Sequence, residues 1–148
     1  MKFNVNQNDL EQSLGYCQGV IEKRSTLPIL SNILLDANNS KLSIIATDLD
    51  LIFINEIKNV EIIEEGKTTT TSSIMYDIIR KFNSGKKINF SLSNENKIQL
   101  ESEKSIFNLN CIPASEFPLT DENFTGNEFK IKSKQLLKLL NKCKFAIS

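Results

Sequence analysis

Residues 2–23 read KFNVNQNDLEQSLGYCQGVIEK, and residues 129–148 read FKIKSKQLLKLLNKCKFAIS. A shift of 126 residues lays one on the other: Phe3 on Phe129, Val5 on Ile131, Leu10 on Leu136, Leu14 on Leu140, Cys17 on Cys143 and Ile21 on Ile147. In both stretches apolar residues first alternate, as on a strand with one buried face. They then recur at steps of four, three and four, as on one face of an amphipathic helix. Any strand followed by a helix matches another by pattern alone. The matching residue types, a cysteine among them, argue for a repeat. Solenoid repeats run about 20–50 residues, so a unit this long is a whole domain. The chain reads as one domain and the opening of a second.

Composition narrows the function classes. A chain of 148 residues, 40% of them apolar, suits one domain of the usual length of about 100–200 residues. No apolar run approaches the roughly 20 residues a membrane span needs, and MKFNVNQNDL lacks the apolar stretch of a signal peptide. Histidine is absent, which removes Ser-His-Asp and Cys-His nucleophile systems and the commonest zinc ligand. No Gly-rich phosphate-binding motif and no GxSxG is present. Cys17, Cys111 and Cys143 are far apart, with no CxxC. The apolar faces that carry Cys17 and Cys143 predict reduced core thiols in a cytosolic protein. The net charge is zero but unevenly spread. Residues 127–148 hold six lysines and one glutamate, leaving 12 basic and 17 acidic groups in residues 1–126. Such a first domain is no tight duplex binder, which carries net positive charge.

Two cycles of the same order follow one another. The first predicts a strand over 2–6 and a helix from Asn8 or Asp9 to about Ile21, with Leu10, Leu14, Cys17 and Ile21 inward. Pro28 forces Leu27 to be extended. Strands are expected over 30–36, 41–46, 49–57 and in VEIIEE, with ANNSK as turn chemistry. The second cycle has the β-prone KTTTTS and a helix in SIMYDIIRKF with Ile74, Ile78 and Phe82 inward. Strands over 87–92, 97–102 and 105–111 complete it. Residues 112–126, with Pro113, Pro118 and Gly126, read as a connector, and a third cycle starts at Glu128. The order predicts an α+β fold, two helices packed on one side of mostly antiparallel sheet.

The residues that carry a resemblance are MKFNV at the start, RSTLPILSNILL at 24–35, LSIIATDLDL at 42–51, FNLNCIPASEFP at 107–118 and the restart FKIKSKQLLKLL. Together, and in this order along the whole chain, they resemble the bacterial β sliding clamp family, the processivity subunit of DNA polymerase III in DNA replication. The resemblance implies the DNA-clamp fold in a duplicated strand-helix-strands arrangement. It implies a first clamp domain over 1–124, and over 125–148 the first strand and helix of a second, truncated one. It also implies a scaffold rather than an enzyme. In the family two subunits join head to tail into a ring around duplex DNA in the bacterial cytoplasm. Helices line the hole and the ring tethers the replicative polymerase. Retention is topological, and sequence-independent attraction to phosphate permits sliding. No cofactor and no membrane partner is implied.

Residue by residue, the resemblance places Lys23 and Arg24 in a loop facing DNA, where the residues alone read as a solvated pair. Arg80 and Lys81 close the second helix, favourably for its C-terminus and near DNA in the family. Lys134, Lys138 and Lys142 form a stripe at i, i+4 and i+8, either solvated or part of a basic inner wall. Phe107 and Leu109 match the apolar pair of the family's subunit contact, with Lys104 beside them. Where the family often has basic residues at the start of the second helix, this chain has Ser73 and Ile74, so an apolar contact through Ile74 is expected there. Asp48 and Asp50 form a DxD that can hold a divalent metal in an enzyme; the resemblance makes it a structural signature. The family's groove for polymerase and clamp-loader peptides lies between its second and third domains, so residues 1–148 hold almost none of it. Two alternatives stand beside the clamp: a stand-alone α+β interaction domain, and a carboxylate-metal enzyme centred on Asp48 and Asp50.

Overall fold

A computed structural model describes residues 1–21, 27–93, 96–119 and 129–146. Strand β1 (Lys2–Asn6) runs straight into helix α1 (Gln7–Cys17). The Asn6 side chain accepts the Asn8 N–H, an N-cap that satisfies one orphan donor of the first turn. Leu10, Leu14 and Cys17 are buried at the expected spacing. The helix ends at Cys17, short of Ile21, where Gln18 and Gly19 begin a turn. A 3₁₀ turn at Pro28–Ser31 precedes β2 (Asn32–Asn38), which is followed by β3 (Lys41–Thr47), β4 (Ile52–Ile57) and β5 (Val60–Glu64). The second cycle is β6 (Gly66–Thr71), α2 (Ser72–Ile79), β7 (Lys87–Ser93), β8 (Lys97–Ser102) and β9 (Ser105–Ile112). Helix α3 (Ser133–Cys143) is the last.

The strands form one antiparallel sheet in the order β4-β3-β2-β6-β9-β8-β7-β1-β5. This is two copies of one unit. Each has a three-strand meander, β2-β3-β4 or β7-β8-β9, and each meander's first strand pairs with the strand that leads the other copy's helix. The last stretch then crosses over: β5 pairs β1, and the end of β9 pairs β6. The duplicated α+β clamp arrangement expected from the sequence is the one observed.

The core lies between the sheet and the two helices. Phe3 and Phe90 are cross-strand partners whose rings stack at 4.7 Å, and burying each is worth about 1.5–3 kcal/mol. Strands β2 and β3 are buried on both faces. Ile33, Leu35 and Ile44 face the helices, while Leu34 and Ile45 are covered from outside by Phe117 and Ile29. The stretch read as a connector therefore packs on the domain before it leaves. The threonine run of β6 is buried because its hydroxyls have partners. Thr69 Oγ1 donates to the Ile112 carbonyl and accepts from Asn32 Nδ2, and Thr70 Oγ1 donates to the Asn110 carbonyl. Buried hydroxyls without such bonds would cost free energy.

Four expectations need correction. Helix α2 is rotated by one residue: Met75 and Ile79 are buried, while Ile74 is 51% exposed and Ile78 half-buried. The segment carries two apolar stripes one residue apart, and periodicity alone does not choose between them. Strand β4 starts at Ile52 rather than 49, because Asp48 closes a turn. The strand expected at 129–131 is not formed, since nothing among the described residues offers it a ladder. Helix α3 forms, but none of its residues is buried, so Leu136, Leu140 and Cys143 are exposed rather than core. Among the described residues no helix is long and apolar enough to cross a membrane.

Two measurements check this packing. Ile79→Asp should unfold the domain, whereas Ile74→Asp should change stability by less than about 1 kcal/mol in urea titration; the reverse order would restore the phase expected from sequence. Burial pushes the Cys17 thiol up to about 12 and raises Cys111 as well, and the thiolate is the reactive species. Cys143 should therefore react first with a thiol reagent at pH 8, and Cys17 only on unfolding.

Candidate functional site

Helices α1 and α2 lie side by side and antiparallel. Gln7, at the start of α1, donates from Nε2 to the Ile79 carbonyl at the end of α2, 3.0 Å. Gln18, past the end of α1, donates to Ser72 Oγ at the start of α2, 2.8 Å. Gly15 of α1 faces Tyr76 of α2: a Cβ there would stand 3.6 Å from the Tyr76 hydroxyl oxygen, an ordinary packing contact. Arg80 and Lys81 follow α2 and are exposed, with the Arg80 guanidinium 5.4 Å from the Tyr76 ring centroid, within cation–π range. Lys134, Lys138 and Lys142 are exposed along α3. Lys23 and Arg24 lie outside the described residues.

Strand β9 presents an open edge. The Glu103–Lys104 turn joins Ser102 to Ser105, and the Cys111 N–H donates back to the Asn96 carbonyl, 2.7 Å. Backbone polar groups alternate in direction along an antiparallel strand. The odd residues 105–111 therefore bond β8, and Ile106 and Asn108 point their N–H and C=O the other way. On that side β6 pairs only with Cys111 and Ile112. Among the described residues nothing covers the ladder at Ile106 and Asn108.

The side chains beside this edge are apolar. Phe107 and Leu109 are half-buried on the helix side, and Phe107 meets Phe82 edge-on at 5.6 Å. Ile78 of α2 packs half-buried against the same core, Ile74 one turn before it is 51% exposed, and Ile106, on the opposite sheet face, is 57% exposed. The predicted pair Phe107 and Leu109 thus falls on the open edge, with exposed Lys104 at its turn. Lys86 and Asn83 hold Glu103, in the same turn, below the usual carboxylate range. That contribution is present above the ordinary glutamate range and is lost as pH falls through the lowered value.

Sequence reasoning missed the equivalent surface at the other end. Strand β4 is also an edge, paired only with β3. Asn55 stands opposite Ile44 as Phe107 stands opposite Leu100, and Ser13 holds the place in α1 that Ile78 holds in α2, counted from each N-cap. Here the groove, about 500 Å³, mixes polar and apolar surface: Asp9, Ser13, Asn55 and Glu56 line it together with Tyr16 and Ile57. Asn55 Nδ2 donates to Ser13 Oγ at 2.6 Å, and Gln12 Nε2 to the Tyr16 hydroxyl at 2.9 Å.

The DxD motif lies in the β3–β4 turn. One oxygen of Asp48 accepts the N–H groups of Asp50 and Leu51, at 3.1 and 2.7 Å. Thr47 Oγ1 accepts the N–H of Leu49, whose φ of 82° is left-handed. The carboxylate closes a strained turn, as Asx geometry does. Among the described residues no group of three or more His, Cys, Asp or Glu is placed to hold a metal ion.

The family described as DNA polymerase III beta subunit, N-terminal domain, matches residues 1–121. The beta sliding clamp of Caulobacter vibrioides is 36% identical over the whole chain, which covers 40% of that relative, and the beta sliding clamp of Escherichia coli K12 is 31% identical with the same coverage. Among solved structures, the sliding clamp of Bartonella birtlesii, crystallised bound to griselimycin, is 36% identical and superposes with a TM-score of 0.95 over the whole chain and 39% of its own length. Caulobacter crescentus pol III beta superposes at 0.92. The chain spans about 40% of the length of these relatives. With the duplicated fold, the antiparallel helix pair and the open β9 edge in place, the chain belongs to the beta sliding clamp family of DNA polymerase III and carries its N-terminal domain.

Proposed function

We propose that this chain supplies the first domain, residues 1–124, and the opening of the second, 125–148, of a non-catalytic processivity clamp that encircles duplex DNA. The observation that carries this is the pairing of a helix face with an open strand edge in a family member. The α1–α2 side faces the duplex. The β9 edge, with Ile74, Phe107 and Leu109 and with Lys104 at its turn, takes the next subunit head to tail. An added strand on an exposed edge makes main-chain hydrogen bonds while neighbouring apolar groups are buried. Arg80 and Lys81, together with Lys23, Arg24 and the α3 stripe of Lys134, Lys138 and Lys142, supply diffuse attraction to phosphate. Such contacts position the duplex without reading its bases. Polymerase and clamp loader would engage parts of the clamp beyond these residues.

The carboxylate-metal alternative has little left to stand on, because Asp48 is occupied in closing its turn. The stand-alone domain has no observation in its favour.

Salt-dependent duplex binding tests the charge assignment. Each phosphate contact contributes a slope of about −0.9 in log K against log salt. Replacing Arg80 and Lys81 by alanine should flatten the slope by about 2, equally on unrelated duplex sequences. An unchanged slope, or a loss confined to one sequence, would remove these residues from the DNA surface. Polymerase and loader peptides should not bind residues 1–148 tightly, and submicromolar binding would contradict where the peptide site is placed.

A further inference from the structure

Two apolar clusters lie on opposite faces of β2 and β3, and they share no residue. The larger, toward the helices, is the core. The smaller, on the outer face, is built on the cross-strand partners Leu34 and Ile45. Phe117 buries itself on both, with Ile29 and Ala114 at the margin. It is the single buried residue of the segment 113–119. The pairing of β9 with β6 ends at Ile112. Beyond it a 3₁₀ turn at Ala114–Glu116 follows Pro113. The Glu116 N–H donates to the Pro113 carbonyl at 3.1 Å, Phe117 to Ala114 at 3.2 Å, and Leu119 to Phe117 at 3.0 Å. Pro118 holds Phe117 extended, at φ −77° and ψ 127°. All three bonds lie within the segment, which so presents one large side chain to the sheet.

We infer that residues 113–119 are a strap latched to the first domain by Phe117, and that release of this latch is a hinge separable from unfolding of the domain. The seat of Phe117 is apolar burial, which has no directional bond to break. The domain itself is held by the core on the other sheet face. Segments with few buried apolar contacts open at lower free energy than the whole. On release Leu34 and Ile45 are wetted on one face, yet they keep their ladders to Thr69 and Ile54. Hinges are a few loop residues that absorb the change in φ and ψ. Ser115 and Glu116, exposed between the two prolines, are placed to do so. Latched, the strap fixes where the chain leaves the sheet, over β2 and β3. Released, it passes that freedom to whatever follows residue 119. Use of this joint to change the angle between neighbouring clamp domains rests on the proposed function. The latch does not, and failure of the duplex-binding test would leave it standing.

Limited proteolysis of the 148-residue chain with a glutamate-specific endoprotease tests it, since cleavage follows the population of the locally opened state. Leu34→Ala and Ile45→Ala loosen the seat without altering the strap's own sequence. Each should speed cleavage after Glu116 by about tenfold or more. Cleavage after Glu101, inside β8, should stay slow and the circular dichroism spectrum unchanged. Should these variants fail to fold, Phe117→Ser, outside the larger core, takes their place. It is read by amide exchange at Glu116 and Leu119, which should accelerate while β2 and β3 stay protected. Phe117→Leu keeps an apolar side chain in the seat and should stay close to the unmodified chain. Two results overturn the inference. One is cleavage and exchange in the strap that no variant changes. The other is cleavage after Glu116 that rises only together with cleavage after Glu101, for the strap would then open only when the domain unfolds.

Discussion

Strand β9 joins the two halves of the sheet, between β8 and β6, and much of the structure follows from how it divides its hydrogen bonds. Its odd residues are committed to β8 along the whole strand. On the other side it has β6 only at Cys111 and Ile112, and the short ladder there is reinforced by the hydroxyls of Thr69 and Thr70. Those side-chain bonds explain why a strand of threonines can lie at the centre of the sheet, where apolar side chains are the usual occupants. The first half of β9 keeps its ladder to β8 but has no β6 partner on its other side. The open edge is thus a product of the fold's own crossover, with no inserted element needed to create it.

The internal symmetry makes a second edge unavoidable. Whatever crossover frees β9 also frees β4, and only side chains can tell the two ends apart. The substitution pattern does this economically. Asn55 stands where Phe107 stands, and Ser13 where Ile78 stands. A repeated module with two identical apolar ends would polymerise; one with chemically distinct ends can specify its neighbour at each. The helix face meets a different demand. Gln7 and Gln18 tie the ends of the two helices together by side chain–backbone and side chain–side chain bonds. The exposed residues of that face can then be chosen for charge without loss of packing.

Much of this was legible in the sequence, and where it was not the reasons are local. Alternation and helical spacing located β1, α1 and the meanders, because each has one buried face. The phase of α2 was not legible: Ile74, Met75, Ile78 and Ile79 offer two stripes, and the choice depends on what Gln18 and Ser72 hold in place. The turn at Asp48 reads as metal chemistry from residue type alone, and only the N–H groups of Asp50 and Leu51 reveal its task. Phe107 and Leu109 were singled out by resemblance and fall beside the β9 edge, whereas the groove at β4 has no motif; Asn55 and Ser13 are separated by 42 positions and meet only in the fold. Helix α3 was legible as a helix because its spacing is internal to it. The burial expected for Leu136, Leu140 and Cys143 did not follow, because spacing defines the faces of a helix and not what packs on them.

The half-paired state of β9 is open to direct measurement by residue-resolved amide hydrogen exchange on dilute chain, where copies stay apart. The amides of Phe107, Leu109 and Cys111 should be protected and those of Ile106 and Asn108 should exchange rapidly, an alternation of period two along one strand. Uniform protection along residues 105–111 would mean that the edge is already covered within the chain, and a ring contact could not then be built on it.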